Sequence, residues 1–374
     1  MKILDNEKYI YKHNASKLID ILLNFPSQFK NAEQIFRETR LKDARLELKS
    51  NYKNAIVLGI GNPSTVAFKL LLSADINQLK IPVSFSSTSE IPSWVDKNTL
   101  IVALSHSGNT IEVLESVDKL TSLGYQIIAI TGGGRLKEKA QENKNIILIE
   151  YHKDLLPRMA IGYAYVLMVE VLSETGLLRV EGFSRNMPFG LYWNDVENEL
   201  SNFTKELTPE VPINSNIAKK IAINLFEKIP VIYGSSKITG TVAYRFKTQF
   251  CTVAKTLAHF NVLPDVNHDE ITGWEVIPEL RKDFIVLFIT EDNIDMKIKK
   301  TIDLMHGIFL ERNIKYLEIQ LEATNSVVKA FKGFFLADWI SLYLSILYDV
   351  DPNEITLIDK IKNRLTLLEK NNSS

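Results

Sequence analysis

Short runs of β-branched and other apolar residues alternate with longer amphipathic stretches along this chain, and that alternation limits its fold more than any other feature. In the first half the runs are NAIVLGI (54–60), IPVSFSS (81–87), TLIVAL (99–104), QIIAIT (126–131) and NIILIE (145–150). Near-continuous Val, Ile and Leu suits strands buried on both faces. Between them, STVAFKLLLSA (64–74) and NTIEVLESVDKLTSLG (109–124) read as helices. The second places Ile111, Leu114, Val117 and Leu120 on one face and stops at Gly124, a residue suited to a helix C-terminus. Strand and helix in regular turn indicate a parallel-sheet α/β architecture.

The second half repeats this outline. IPVIYGSSKITGTVAYRFKTQF (229–250) is strand, Gly-Ser turn and helix, as NAIVLGIGNPSTVAFKLLL is. DFIVLFITEDN (283–293) answers TLIVALSHSGN, and IKYLEIQ (314–320) is a further strand before two closing helices. A long apolar helix from about Met159 to Thr175 precedes EGFSRNMPFGLYW (181–193), a stretch rich in Gly and Pro where domains would join. The expected organisation is an α/β protein of two three-layer domains, each a mainly parallel sheet flanked by helices. Residues 1–185 form the first, 186–214 connect, and 215–374 form the second.

At 374 residues, with 45% apolar and 24% charged side chains, the chain can bury two such cores. Its 44 basic and 45 acidic residues leave a formal charge of −1, which lacks the basic footprint of a nucleic-acid binder. Cys251 is the single cysteine, so an internal disulfide is excluded and a reducing compartment fits. MKILDNEKYIYKHN lacks the apolar centre of a signal peptide, and FFLADWISLYLSILYDV (334–350) is broken by Asp338 and Ser341, as in a buried helix. A cytoplasmic protein with neither a nucleic-acid nor a membrane partner is expected.

The chemistry concentrates in ALSHSGNTIEVLES (103–116), which crowds Ser105, Ser107, Asn109 and Thr110 around Gly108 between a strand and a helix. In open parallel sheets, ligands bind beyond the carboxyl ends of strands. A helix start there offers unpaired N–H groups and a positive dipole end, and hydroxyls add donors. Neutral donors focused on one point suit a phosphate dianion. A helix cap is the plainer explanation, but one such residue would serve it.

LSHSGNTIEVLE resembles the signature of sugar isomerase (SIS) domains. The likeness extends to LPRMAIGY (156–163), to RFKTQF…AKTLAHFNVLPDVNHDEITGWE (245–275) and to DVDPNEITLIDKIKNRL (349–365). Together these segments resemble the bifunctional phosphoglucose/phosphomannose isomerase family, whose members carry two SIS domains and interconvert aldose and ketose 6-phosphates through a cis-enediol. The resemblance implies hexose 6-phosphate as ligand, held by Ser105, Ser107, Asn109 and Thr110 with Gly61. It implies Arg158 beside the enediolate, His268 as the ring-opening group and Lys362 reaching in from the C-terminus, with Lys360 a near competitor. Because the family supplies that histidine across an interface, it also implies a homodimer with shared sites. By their surroundings alone, Arg158, His268 and Lys362 would read as a helix-start, a turn and a solvated residue.

Two positions depart from the family pattern. Its helix reads close to KTQ.NENAK, with a glutamate as proton-abstracting base; here KTQFCTVAK puts Thr252 in that place. A threonine hydroxyl cannot replace a carboxylate near neutral pH, and losing a general base costs about 10²–10⁴ in rate. Asp269 stands where asparagine is usual, so a carboxylate has been gained nearby, and Glu270 accompanies it. In GIGNPST (59–65), Asn62 and Pro63 follow Gly61 where relatives carry Gly-Ser; Pro63 removes a donor, Ser64 is one position on, and proline also suits a first helical turn.

TGGG (131–134) lacks the spacing of a nucleotide loop and reads as a strand-to-helix turn. His106, His152, His259 and His306 are scattered without metal-ligand spacing, so neither metal nor cofactor is expected. Ser87 and Ser89 are secondary candidates near the sugar. The function expected is aldose–ketose isomerisation of glucose 6-phosphate, mannose 6-phosphate and fructose 6-phosphate. The alternative is a non-catalytic phosphosugar-binding SIS protein that has shed its base.

Overall fold

The computed structural model describes residues 2–46, 51–74, 78–179, 191–275, 278–323, 325–362 and 364. Helices α1 (Glu7–Ile10), α2 (Ser16–Asn24) and α3 (Gln28–Lys42) lead into β1 (Asn54–Gly59) and α4 (Asn62–Ala74). Next come β2 (Val83–Ser86), β3 (Thr99–Ser105), α5 (Ile111–Ser122), β4 (Ile127–Thr131), α6 (Gly134–Glu142) and β5 (Ile146–Glu150). The strands form a parallel sheet in the order β2-β1-β3-β4-β5, with Val57 opposite Val102 and Ile128 opposite Ile147. Every residue of β3 is buried, which is why its sequence shows no polar alternation.

After α7 (Ile161–Glu174), α8 (Leu191–Lys205) and α9 (Ile217–Leu225), a second sheet is built from β6 (Ile229–Ser235), β7 (His259–Leu263), β8 (Phe284–Glu291) and β9 (Tyr316–Leu321). Its order, β7-β6-β8-β9, reproduces the order of the first four strands of the first sheet, and it too is parallel. Helices α10 (Ile238–Thr252), α11 (Glu270–Gly273), α12 (Met296–Glu311) and α13 (Ser326–Leu347) complete this half. Sequence reasoning did not name β7. That strand lies at the sheet edge with one end exposed, so its residues lack the apolar run that marked the others. Of the expected connecting segment, residues 186–190 lie outside the described residues, while α8 is an ordered helix that buries Trp193.

Helices α4, α7, α10 and α13 lie between the two sheets. They share one apolar core that includes Val57 and Leu104 of the first sheet and Leu287 and Ile289 of the second. Helix α7 is buried along its whole length and α13 along nearly all of it, so both are apolar all round. The most apolar window of α13 is long enough to cross a membrane but is 89% enclosed by the protein, as a core helix is.

Candidate active site

Each sheet has its switch point next to its first strand: between β1 and β3 in one, between β6 and β8 in the other. The two are built differently. At the first, Ser105 ends β3, and its Oγ lies 2.8 Å from Thr110 Oγ1. Thr110 is the N-cap of α5, yet its side chain makes no capping bond. Ser107 Oγ instead accepts from Asn109 N–H at 3.2 Å. The first bond into the helix is Leu114 N–H to Thr110 O, 3.0 Å, so the N–H groups of Ile111, Glu112 and Val113 face out of the helix end. These hydroxyls therefore ring an open positive terminus instead of closing it.

At the second switch point Asp295 caps α12 itself, its carboxylate accepting from Lys297 N–H (2.8 Å) and Ile298 N–H (3.4 Å). Ser235 and Thr239 bond to each other at 2.9 Å. The α10 terminus after β6 has no side-chain cap, so of the two helix starts there only α12 is closed.

The TGGG turn is the back wall of the first loop. Gly132 N–H donates to His106 O (3.0 Å) and Leu136 N–H to Gly108 O (2.9 Å). Asn109 Oδ1 accepts from Arg135 N–H at 3.1 Å, so Asn109 braces the loop as well as bordering the site. Gly108 has φ +64°, and a Cβ there would lie 1.7 Å from Gly133 O; the close approach of the two loops admits only glycine.

Gly61 follows β1 with φ +85°, and Pro63 is buried in the first turn of α4. Ser64 does not stand in for the missing serine. Its Oγ is buried and donates toward Leu104 O (3.2 Å) and Ile60 O (3.3 Å). Asn62 reaches across to the second domain, where Thr248 Oγ1 donates to its Oδ1 at 3.3 Å.

Arg158, in the turn after β5, is 6% exposed. Its Nη2 donates to Pro352 O at 2.6 Å, and its Nε is buried with no partner among the described residues. Burial, then the neighbouring Arg245, push its pKa down to about 10, while Asp338 and Asp351 act the other way. Arg245 fixes the backbone of Arg158, donating from Nη1 to Arg158 O at 2.9 Å. Arg245 is itself forked onto Asp338, with Nε to Oδ1 and Nη2 to Oδ2 both 2.9 Å.

Thr252 ends α10, one turn beyond Thr248, and its hydroxyl donates back to Thr248 O at 2.7 Å. Lys255 then turns left-handed (φ +57°), and its ammonium donates to Thr252 O (2.8 Å) and Glu354 O (2.7 Å). Burial and then the charge of Arg158 hold its pKa below the ordinary lysine range. The structure thus brings the loop after β1, Arg158 and the Thr252 end of α10 together, alongside the 351–354 segment.

Among the described residues, no hydrogen bond or ion pair places His268 or Asp269 in this cluster. His268 is exposed beyond β7, and no hydrogen bond or ion pair among the described residues ties it to Arg158 or to the Ser105–Thr110 loop. Asp269 is exposed and caps α11 through Glu270 N–H at 2.5 Å. Glu270 is held by Tyr233 Oη (2.6 Å) and Asn261 Nδ2 (2.8 Å). Lys362 is exposed on a helical turn over 356–362. The loop bearing Ser87 and Ser89 leans on α5, where Lys119 Nζ donates to Ser89 O at 3.0 Å. No cluster of three or more His, Cys, Asp or Glu side chains among the described residues is placed to hold a metal ion.

Sequence reasoning missed His106, Lys255, Asp351 and the Arg245–Asp338 pair. Only Asp338 carried a signal, a carboxylate inside an otherwise apolar helix, which requires a buried partner.

Two parallel sheets of like order, with one open hydroxyl-ringed helix terminus, define a double-SIS-domain protein. Residues 50–173 match the SIS domain family, and residues 214–365 match the bacterial phospho-glucose isomerase C-terminal SIS domain. The chain is 32% identical over 355 residues to the bifunctional phosphoglucose/phosphomannose isomerase of Caldicellulosiruptor bescii, covering 93% of this chain and 98% of that one. It is 27% identical to the Aquifex aeolicus protein of the same name, covering 90% and 98%. The chain belongs to the bifunctional phosphoglucose/phosphomannose isomerase family. A hypothetical protein from Thermus thermophilus shares the fold, with a TM-score of 0.71 over 96% of this chain and 94% of that one at 14% identity.

Proposed function

We propose that this protein isomerises hexose 6-phosphates between aldose and ketose, taking glucose 6-phosphate and mannose 6-phosphate to fructose 6-phosphate. The observation that carries the reading is the open terminus of α5, where Ser105, Ser107 and Thr110 surround uncommitted helix N–H groups. Its family relatives are named for that activity. In this reading the phosphate anchors at the loop, with Gly61 and Asn109 bordering it. A base takes the proton from C2 of the open-chain aldose, the cis-enediolate pairs with Arg158, and the proton is returned at C1 while O1 gains one and O2 loses one. The buried guanidinium of Arg158, with its unpartnered Nε, suits a developing oxyanion.

His268 opens the ring and Lys362 reaches the sugar, each in a site shared between two copies. The exposure of both supports this, as does the turn over 356–362, which leaves Leu357 and Ile361 75% and 62% exposed for a second copy to cover. A homodimer in the cytoplasm follows. The division at 1–185, 186–214 and 215–374 is proposed with it, and the two family matches at 50–173 and 214–365 support it.

Thr252 sets the rate. Its hydroxyl is bonded to Thr248 O and offers no carboxylate, so turnover should be slow. The test is deuterium incorporation from heavy water into each hexose 6-phosphate, by wild type and by Thr252→Glu. Incorporation at C2 of the aldoses and at C1 of fructose 6-phosphate by the wild type, faster in the variant, is expected. Tight binding of fructose 6-phosphate with no incorporation by either protein would replace the isomerase by a phosphosugar-binding protein.

A further inference from the structure

His106 sits between Ser105 and Ser107 but points away from the loop they form. Its ring is in the protein interior, 8% exposed, with Nε2 3.0 Å from Leu155 O and Nδ1 3.2 Å from Tyr151 Oη. A carbonyl only accepts, so Nε2 carries the hydrogen and Nδ1 accepts from the tyrosine hydroxyl. Burial holds the ring's pKa below the ordinary histidine range, which keeps this neutral form. Tyr151 is in turn stacked on Tyr163 of α7, with ring centroids 5.1 Å apart.

Leu155 lies three residues before Arg158, at the entry to the turn Pro157–Met159, whose Met159 N–H bonds Leu156 O at 2.8 Å. The other two holds on Arg158, at Pro352 O and from Arg245, both come from the second domain. The bond from His106 to Leu155, with a further backbone interaction at Lys153, joins the loop after β3 to the segment carrying Arg158 within the first domain.

We propose that His106 is a positioning residue, whose Nε2–H bond to Leu155 O sets the Arg158 guanidinium relative to the anchored phosphate. This rests on the isomerase reading of the same cleft. His106 touches no substrate; it couples two groups that do. A phosphate seated in the loop then fixes the distance at which Arg158 meets the reacting carbons, and a small displacement there lowers transition-state complementarity more than ground-state binding.

The test compares two ligands by calorimetry. Glucitol 6-phosphate reads the phosphate loop. A phosphorylated arabinonohydroxamate, whose charged face mimics the enediolate, also reads Arg158. His106→Gln can place its Nε2 where the imidazole Nε2 lies, whereas His106→Asn reaches only as far as Nδ1. The wild type and His106→Gln should prefer the hydroxamate by the same ratio. His106→Asn should keep glucitol 6-phosphate affinity within about twofold and lose roughly tenfold for the hydroxamate, the scale of one hydrogen bond. Tyr151→Phe removes only the partner of Nδ1 and should leave the ratio intact, which keeps the idea open to refutation if His106→Asn does not fold. An unchanged ratio in His106→Asn, equal losses for both ligands, or a collapsed ratio in Tyr151→Phe each overturns the positioning role. Failure of the wild type to bind glucitol 6-phosphate overturns instead the isomerase reading on which it rests.

Discussion

Replacing Asp338 by asparagine should be among the most damaging isosteric changes available in this protein. Asp338 is 1% exposed and Arg245 0%, and their fork closes between α10 and α13 in the core that the two sheets share. Asparagine keeps one acceptor but turns an NH₂ against a guanidinium donor and leaves the cation without its counterion. Breaking a buried pair from one side costs about 3–5 kcal/mol, because the surviving charge stays buried. Removing both charges together, as in Arg245→Met with Asp338→Leu, is often near neutral for the same reason. The double variant still loses the bond from Arg245 Nη1 to Arg158 O, so it should fold well but hold Arg158 loosely. Urea denaturation with a check on the slope measures the first effect, and affinity for a phosphorylated hydroxamate measures the second. If Asp338→Asn unfolds within about 1 kcal/mol of the wild type, or the double variant is as unstable as the single, the pair is not the buried charge couple described.

Gly108→Ala should destabilise the protein and abolish phosphosugar binding, since its Cβ would overlap Gly133 O; Gly124→Ala, also at positive φ but with nothing within 4 Å, should cost only about 1–2 kcal/mol in a thermal melt. Glu170, buried in α7 against Trp193 Nε1 at 3.1 Å, has its pKa pushed up to about 8, chiefly by burial. The folded protein thus keeps a proton there that the unfolded chain gives up from about pH 4.5, so stability should fall as pH rises from there toward 8 and level off above. Glu170→Gln should flatten that slope and exceed the wild type by roughly 2–4 kcal/mol at pH 8 in denaturant titrations; parallel curves for the two proteins would show that Glu170 is ionised when folded.

The strands were legible where burial on both faces left an unbroken apolar run, as in TLIVAL, and illegible at β7, an edge strand whose HFNVL has one side unpaired. The loop after β3 stood out because its crowding of hydroxyls exceeds what a cap needs, and Thr110 indeed makes no capping bond. TGGG could be read as a turn, but its purpose could not. That Gly134 must admit Ser107 O, 2.3 Å from where a Cβ would sit, depends on two loops meeting in space. His106 was taken for one of several scattered histidines for the same reason: Leu155 lies 49 residues away in the chain. The roles proposed for His268 and Lys362 come from resemblance alone, because both are exposed and nothing around either marks it for chemistry.

The two sheets share a strand order, but the residues just past the strand beside each switch point differ. After β3 the chain offers hydroxyls and an open helix end. After β8 it offers Glu291 and Asp292, and both are ion-paired with the buried ammonium of Lys329 from α13, the glutamate at 3.2 Å. A dianion placed there would meet two carboxylates, and the α12 terminus beyond is already capped by Asp295. On the proposed reading the second domain contributes instead through its opposite end. There the C-terminus of α10 and the 351–354 segment close over Arg158, with Lys255 bonded to both at Thr252 O and Glu354 O. Thr252, at the end of α10, lies on that surface, its carbonyl held by Lys255.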